Sequence, residues 1–330
     1  MSKQINILDE MAGSGRAKSV TGRRDFLRGI GLGAAGAATL AAAGLASPSA
    51  SADEETDSED ESLDVAILTF ALNLEYLEAE FYLRAAFGTG LAAQDVGVNP
   101  GQVTGGHKVG FKNPLVEAYA REIAQEEQKH VQFLRAALIA ATGTAVPRPR
   151  IDFQASFPAL AQAAGLGPGF DAFASDTNFL LAAYVFEDVG VTAYHGAAPL
   201  ITNKHYLDRA AGILAVEAYH AGLIRTVLFV EGKTNETAAI SNLRAILDGT
   251  AGTTNLDDFG VGTLAIPTIV NASNANNGST ILGGFPKNTP PGNNAIAFDR
   301  STRQVLNIVY GAKDASKGLF FPNGLNGAIK

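Results

Sequence analysis

The sequence predicts an all-α protein. The expected architecture is a four-helix bundle of two antiparallel hairpins joined by a long crossover, with a Gly/Asn-rich C-terminal extension. Three observations predict it. Four long segments between residues 62 and 231 carry apolar side chains at helical spacing. A third link of only a few residues around Asn203 contrasts with a long Pro- and Gly-containing second one, residues 143–174. Finally, one polar pattern recurs along the four segments in order: Glu75 with Tyr82, Glu127 with His130, Glu187 with Tyr194, Glu217 with His220.

The chain opens on what reads as an export signal, residues 1–52. Gly22-Arg23-Arg24-Asp25-Phe26-Leu27-Arg28 matches a twin-arginine signal, with Gly22 where Ser or Thr is usual. A Gly/Ala/Leu stretch follows to Ala46, and Ala50-Ser51-Ala52 fits an A-x-A cleavage site. The expected destination is the periplasm or the extracellular space. No other segment reads as long and apolar enough to span a membrane, so no stable insertion is expected after cleavage. The signal carries six Lys/Arg against three Asp/Glu, so its removal takes the net charge from −8 to −11. Eight acidic residues lie between Asp53 and Asp64, and residues 53–61 read as a solvated, disordered leader. The remainder is only mildly acidic, which argues against nucleic-acid binding. There is no Cys, and both methionines, Met1 and Met11, lie in the signal. Disulfides, Fe–S clusters and thiolate zinc sites are therefore excluded, and the mature chain has no oxidisable sulfur.

Helix A is expected from about Ser62 to Ala86, with an apolar stripe through Leu63, Ala66, Ile67, Phe70, Leu74, Leu77 and Phe81. Gly88 and Gly90 end it. Pro114 suits the first turn of helix B, which runs to about Ala141. Helix C is expected from about Asp176 to Ile201 and helix D over about 205–231. A fifth short helix over 235–248 closes the bundle region, 62–248. The extension, 249–330, reads as an extended loop over 271–296, then an amphipathic helix Ser301–Tyr310 with Gly311 as cap, all packing back on the bundle.

The chemistry follows from helix geometry. Residues three apart lie about 60° apart on one face, and residues seven apart nearly coincide. Glu127 and His130 can reach a common ion, as can Glu217 and His220. Four glutamates facing a bundle core need partners or take up protons. Two divalent cations would offset four negative charges, and hard oxygen ligands with two imidazoles suit iron or manganese. The expected assignment has Glu127 and Glu217 bridging, Glu75 and Glu187 terminal, and one of His130 and His220 on each ion. Glu78 competes with Glu75 for the helix A position; the repeated spacing to tyrosine favours Glu75. Tyr82 and Tyr194 read either as core tyrosines or as redox-active, catalytic groups. Glu126 and Asp188 read as solvated or as neighbours that support a ligand. His195 points off the ligand face, and His107 and His205 fall in or near loops with no role. The alternative to a metal site is a polar core of carboxylate–histidine hydrogen bonds.

These stretches resemble the ferritin-like superfamily. Asn73-Leu74-Glu75 through Tyr82, and Gln125-Glu126-Glu127 through His130, are similar to helices A and B of ferritins and rubrerythrins. The resemblance implies a di-iron or di-manganese centre with a tyrosine beside it. Ala71 to Ala79, Tyr184 to Gly190 and the tail from Phe298 to Gly327 are more similar still to an exported ferritin-like family that includes plant desiccation-related proteins and fungal stress proteins. That resemblance covers roughly residues 62–330. Without Cys there is no rubrerythrin-type iron domain, and the long tail is unlike cage-forming ferritins. Manganese catalases share the bundle and need no external reductant. Two functions are thus expected: a dinuclear Fe or Mn protein reacting with O2 or H2O2 in stress protection, or a non-catalytic desiccation-protective or metal-sequestering protein. The metal, the substrate and the oligomeric state are left open by the sequence.

Overall fold

A computed structural model describes residues 51–250, 258–262 and 297–330. The expected signal, apart from its last two residues, and the extended loop over 271–296 lie outside the described residues.

Helix α1 runs Ser51–Phe87 and α2 runs Pro114–Thr142; together they form the first hairpin. Helices α4 (Asp176–Ala197) and α5 (Lys204–Val230) form the second, and α1 also packs on α4. Between the hairpins lies α3 (Phe153–Ala163). Helices α6 (Thr234–Asp248) and α7 (Thr302–Tyr310) follow the bundle. A two-residue parallel pair, β1 (Val103–Thr104) and β2 (Ile151–Asp152), ties the first link to the crossover.

The helix ends follow their local chemistry. Asn113 caps α2 by accepting from Leu115 N at 3.0 Å, with Pro114 in the first turn. Ser175 caps α4 and Asn203 caps α5. In α7, Ser301 and Gln304 form a reciprocal capping box. Asp64, buried on α1, accepts from Thr202 N and Asn203 N at 2.9 and 2.7 Å, clamping the α4–α5 turn.

Four expectations are corrected. Helix α1 runs from Ser51, so it starts before the expected Ser62. Helix α4 stops at Ala197, not Ile201, and passes into a 3₁₀ turn over Ala198–Leu200. Pro199 has no N–H and clashes with the preceding turn. The crossover contains α3, although Pro158 lies inside it. Phe153, Phe157 and Phe173 gather around Phe81 at ring distances of 6.1, 5.5 and 5.3 Å, so aromatic burial outweighs the proline. Lastly, α5 is long and apolar enough, by length and composition, to cross a membrane. Here its apolar stripe lines the bundle core around Glu217 and His220.

The tail packs on the bundle. Phe320 meets Phe157 and Phe186 at 5.2 and 5.0 Å. Asn73 on α1 exchanges hydrogen bonds with the backbone of Asn326. Behind α4 sits a buried network of three arginines and three aspartates. Arg225 and Arg244 both bind Asp188 at 2.8 Å. Arg244 and Arg300 both bind Asp258 at 2.7 Å, and Arg300 binds Asp248 at 2.9 Å. Arg300 also donates to Thr192 Oγ1 at 2.9 Å, which joins residues beyond the bundle to α4.

Candidate metal centre

Helices α1 and α4 run antiparallel, and the seven-residue spacing in each makes their contacts reciprocal. Tyr82 on α1 donates to Glu187 Oε1 on α4, and Tyr194 on α4 donates to Glu75 Oε1 on α1. Each tyrosine therefore serves the glutamate of the other helix, not its own. Helices α2 and α5 repeat the arrangement. His130 on α2 approaches Glu217 Oε1 on α5 at 3.6 Å, and His220 on α5 approaches Glu127 Oε1 on α2 at 2.9 Å.

The six expected ligands converge in two groups. Glu75, Glu127, His130 and Glu217 form one; Glu127, Glu187 and His220 form the other. Around His130 Nδ1, Glu75 Oε2 lies at 3.2 Å and Glu127 Oε2 at 3.3 Å. Around His220 Nδ1, Glu187 Oε2 lies at 3.4 Å. The imidazole rings are 6.3 Å apart. Glu127 belongs to both groups, the position a bridging ligand occupies. Glu217, expected to be a second bridge, falls only in the His130 group. Glu75 and not Glu78 joins a group, although Glu78 is buried one turn away.

The donors are poorly satisfied by protein. Glu127 Oε1, Glu187 Oε2, both Glu217 oxygens and His220 Nδ1 are buried and lack a hydrogen-bond partner. His220 Nδ1 is close to Glu127 Oε1 but off the hydrogen-bonding direction. Buried polar atoms are normally paired, so this set of unpartnered atoms is compatible with a bound cation. Carboxylate oxygens with two imidazole nitrogens fit iron or manganese. Without a cation the charges distort one another. Burial, relieved in part by His130 and worsened by Glu127, holds Glu75 at about 7. Burial and neighbouring carboxylates push Glu78 and Glu217 well up, and burial raises Glu187 despite His220. Glu127 is also penalised by burial, but the two imidazoles hold it well below the usual carboxylate range. Burial opposes charge on His130, yet Glu75 and Glu127 raise it to about 12; Glu187 and Glu127 likewise raise His220. Tyr82 and Tyr194 are driven well above 10 by burial and adjacent carboxylates, so both stay neutral O–H donors.

Glu126 lies at the edge of the site, partly exposed, with Oε2 at 2.8 Å from His220 Nε2. A carboxylate on the far ring nitrogen fixes tautomer and orientation of a metal-facing histidine. Asp188, which the sequence placed in the same role, is instead held by Arg225 and Arg244. The sequence reading missed that network, and the available signal was Arg225, one residue after Ile224 on the buried stripe of α5. It also missed Gly190, on α4 beside the carboxylates of Glu217 and Glu78. A methyl group there would come within 2.2 Å of Glu217 Oε2. His107 faces Asp171 at 3.9 Å on the surface, away from the cluster.

The model for the ferritin-like domain matches residues 63–230. The chain belongs to the ferritin-like domain family. It is 31% identical over 279 residues to the desiccation-related protein PCC13-62 of Craterostigma plantagineum, covering 80% of this chain and 83% of that one. It is 29% identical over 292 residues to the ferritin-like catalase Nec2 of Nesocodon mauritianus, covering 83% of this chain and 87% of the other. No solved structure matches the chain. Membership of the ferritin-like domain family accounts for the two-hairpin bundle with carboxylates and histidines on its inner face.

Proposed function

We propose that the chain is an exported ferritin-like protein whose bundle holds two iron or manganese ions and reacts with dioxygen or peroxide in stress protection. The observation that carries this reading is the set of buried, unpartnered carboxylate and imidazole atoms gathered around the shared Glu127. Glu75, Glu127, His130 and Glu217 would hold one ion, and Glu127, Glu187 and His220 the other. Bound there, the ions would supply electron transfer by alternating between two oxidation states. The protein does the rest. Tyr82 and Tyr194 hold the free oxygens of Glu187 and Glu75 and keep a proton at each hydroxyl. Glu126 fixes the ring of His220. Burial keeps bulk water from the cluster, which strengthens every charge interaction within it. The lack of Cys and mature-chain Met suits work beside oxidants. Export through the twin-arginine route belongs to the same proposal and rests on Arg23, Arg24 and the apolar stretch after them.

The relative named a ferritin-like catalase supports peroxide as the oxidant. The relative named a desiccation-related protein supports a second reading, a non-catalytic protein that uses metal for stability. Oxygen evolution from peroxide by iron- or manganese-loaded protein separates them. Turnover supports the first reading; two tightly bound ions with no consumption of peroxide or dioxygen refute it and favour the second.

A further inference from the structure

Two small cavities share part of their walls, one reaching half-buried residues near the surface and the other reaching the cluster. The outer one, about 20 Å³, is bounded by α3, α4 and α6, with half-buried Leu166 and Phe170 at its mouth. The inner one, also about 20 Å³, lies between α1, α4 and the C-terminal segment, where Phe320 forms part of its wall. Val185 and Ile308 line both, so these two side chains are the partition. The inner cavity ends at Gly190 and Glu78. A methyl group on Gly190 would lie 2.2 Å from Glu217 Oε2 and 3.4 Å from Glu78 Oε1. The missing side chain therefore leaves a window onto the carboxylates.

We propose that these cavities are the entry route of an uncharged diatomic gas of the dioxygen type to the ligand cluster, with Val185 and Ile308 as its gate; this rests on the proposed function. Size and lining both select. A water-sized molecule needs roughly 10–15 Å³ of such space, so each chamber takes one small molecule at a time. Among the described residues, Glu78 is the only polar side chain of the inner chamber. In the outer chamber Arg244 is the only one among the described residues, and its guanidinium is engaged by Asp188 and Asp258. Apolar cavities stay dry and admit apolar guests. Peroxide both donates and accepts hydrogen bonds and is costly to strip of water. Its path is the polar edge, where the partly exposed carboxylate of Glu126 meets His220. The tail thus has a task beyond packing, since Ile308 and Phe320 wall the gas route.

Xenon tests the route without any metal. In xenon-pressurised wild-type protein, ¹²⁹Xe NMR or diffraction should find one atom in each chamber. Val185→Phe should empty the inner one. In protein loaded with ferrous iron, stopped-flow binding of nitric oxide should slow about tenfold or more in Val185→Phe and speed up in Val185→Ala, while peroxide consumption changes less than about twofold. Leu166→Trp, at the half-buried mouth, should slow nitric oxide in the same sense and serves if Val185→Phe does not fold. Absence of xenon from the inner chamber, an unchanged nitric oxide rate in a folded plugged variant, or equal slowing of peroxide would overturn the proposal. Failure to consume any oxidant would instead count against the proposed function, and the xenon and nitric oxide measurements would still decide the route.

Discussion

Chelating the metal should reverse the sign of the protein's pH dependence of stability. Glu75 is fully buried and held at about 7 against an ordinary 4.5, by burial first and by Glu127 beyond it. A group whose folded-state value is raised contributes fully below its unfolded value, and that contribution is lost as pH rises through the folded one. A tenfold change in proton affinity is worth about 1.4 kcal/mol, so Glu75 alone withdraws about 3 kcal/mol as pH rises from below 4.5 to above 7. For a chain of this size that is a fall of roughly 6–12 °C in Tm. Glu78, Glu187 and Glu217 are raised too and act in the same direction. His130 and His220 add to it only above their unfolded value of 6.5. Glu127 is lowered, and its opposite effect falls below pH 4.5, outside this window. Loaded protein should behave the other way, because protons compete with the ions for the same atoms. The assay is thermal unfolding between pH 4.5 and 7.5, with chelator and with saturating manganese. Slopes of one sign in both forms would refute a buried cation site.

Loaded anaerobically with iron or manganese, the chain should hold close to two ions, the number that cancels four carboxylates with neutral imidazoles. In that elemental analysis Glu127→Ala should lose both ions, because Glu127 is in both groups, and His107→Ala should lose none. Gly190→Ala should lower metal content by crowding Glu217 Oε2, while helix propensity alone would raise apo stability by up to about 1 kcal/mol. Arg300→Met leaves Asp248 without its guanidinium and Asp258 with Arg244 alone, and should cost about 3–5 kcal/mol in denaturant unfolding. Changing Arg23 and Arg24 to Lys should trap full-length precursor in the cytoplasm on immunoblots of cell fractions; normal export would point to another route.

The bundle and its converging Glu and His side chains were legible because both rest on short-range periodicity. Glu-x-x-His fixes two side chains on one helical face, and the equal seven-residue spacings to Tyr82 and Tyr194 anticipate an antiparallel pair. The partner of each tyrosine was not legible, because it lies on another helix more than 100 residues away. Helix α3 was obscured by Pro158, although Phe153, Phe157, Leu160 and Ala161 carry helical spacing. The arginine–aspartate network was invisible for a different reason. Arg244, Asp258 and Arg300 sit in segments with no shared pattern, and only the folded tail brings them to Asp188. Glu126 and Asp188 looked equivalent, each adjacent to a ligand. What separates them is which charged groups the neighbouring helices supply.

That separation also bears on the charge of the site. Asp188 follows Glu187 directly, so two carboxylates leave α4 about 100° apart, one toward each buried cluster. On the Asp188 side three guanidiniums meet three aspartates, and each arginine is bound by at least one of them. The network is neutral by itself and lends no positive charge to the other side. On the Glu187 side the four clustered glutamates and Glu78 share one interior with two imidazoles. Charging both imidazoles offsets two carboxylates, and protons must occupy others, as the raised values of Glu75, Glu78, Glu187 and Glu217 express. A proton satisfies one oxygen. A divalent ion satisfies several at once and leaves the imidazoles neutral, their better state for ligation. The unpartnered atoms of Glu127, Glu187, Glu217 and His220 are those that protons leave unserved and a pair of cations would serve.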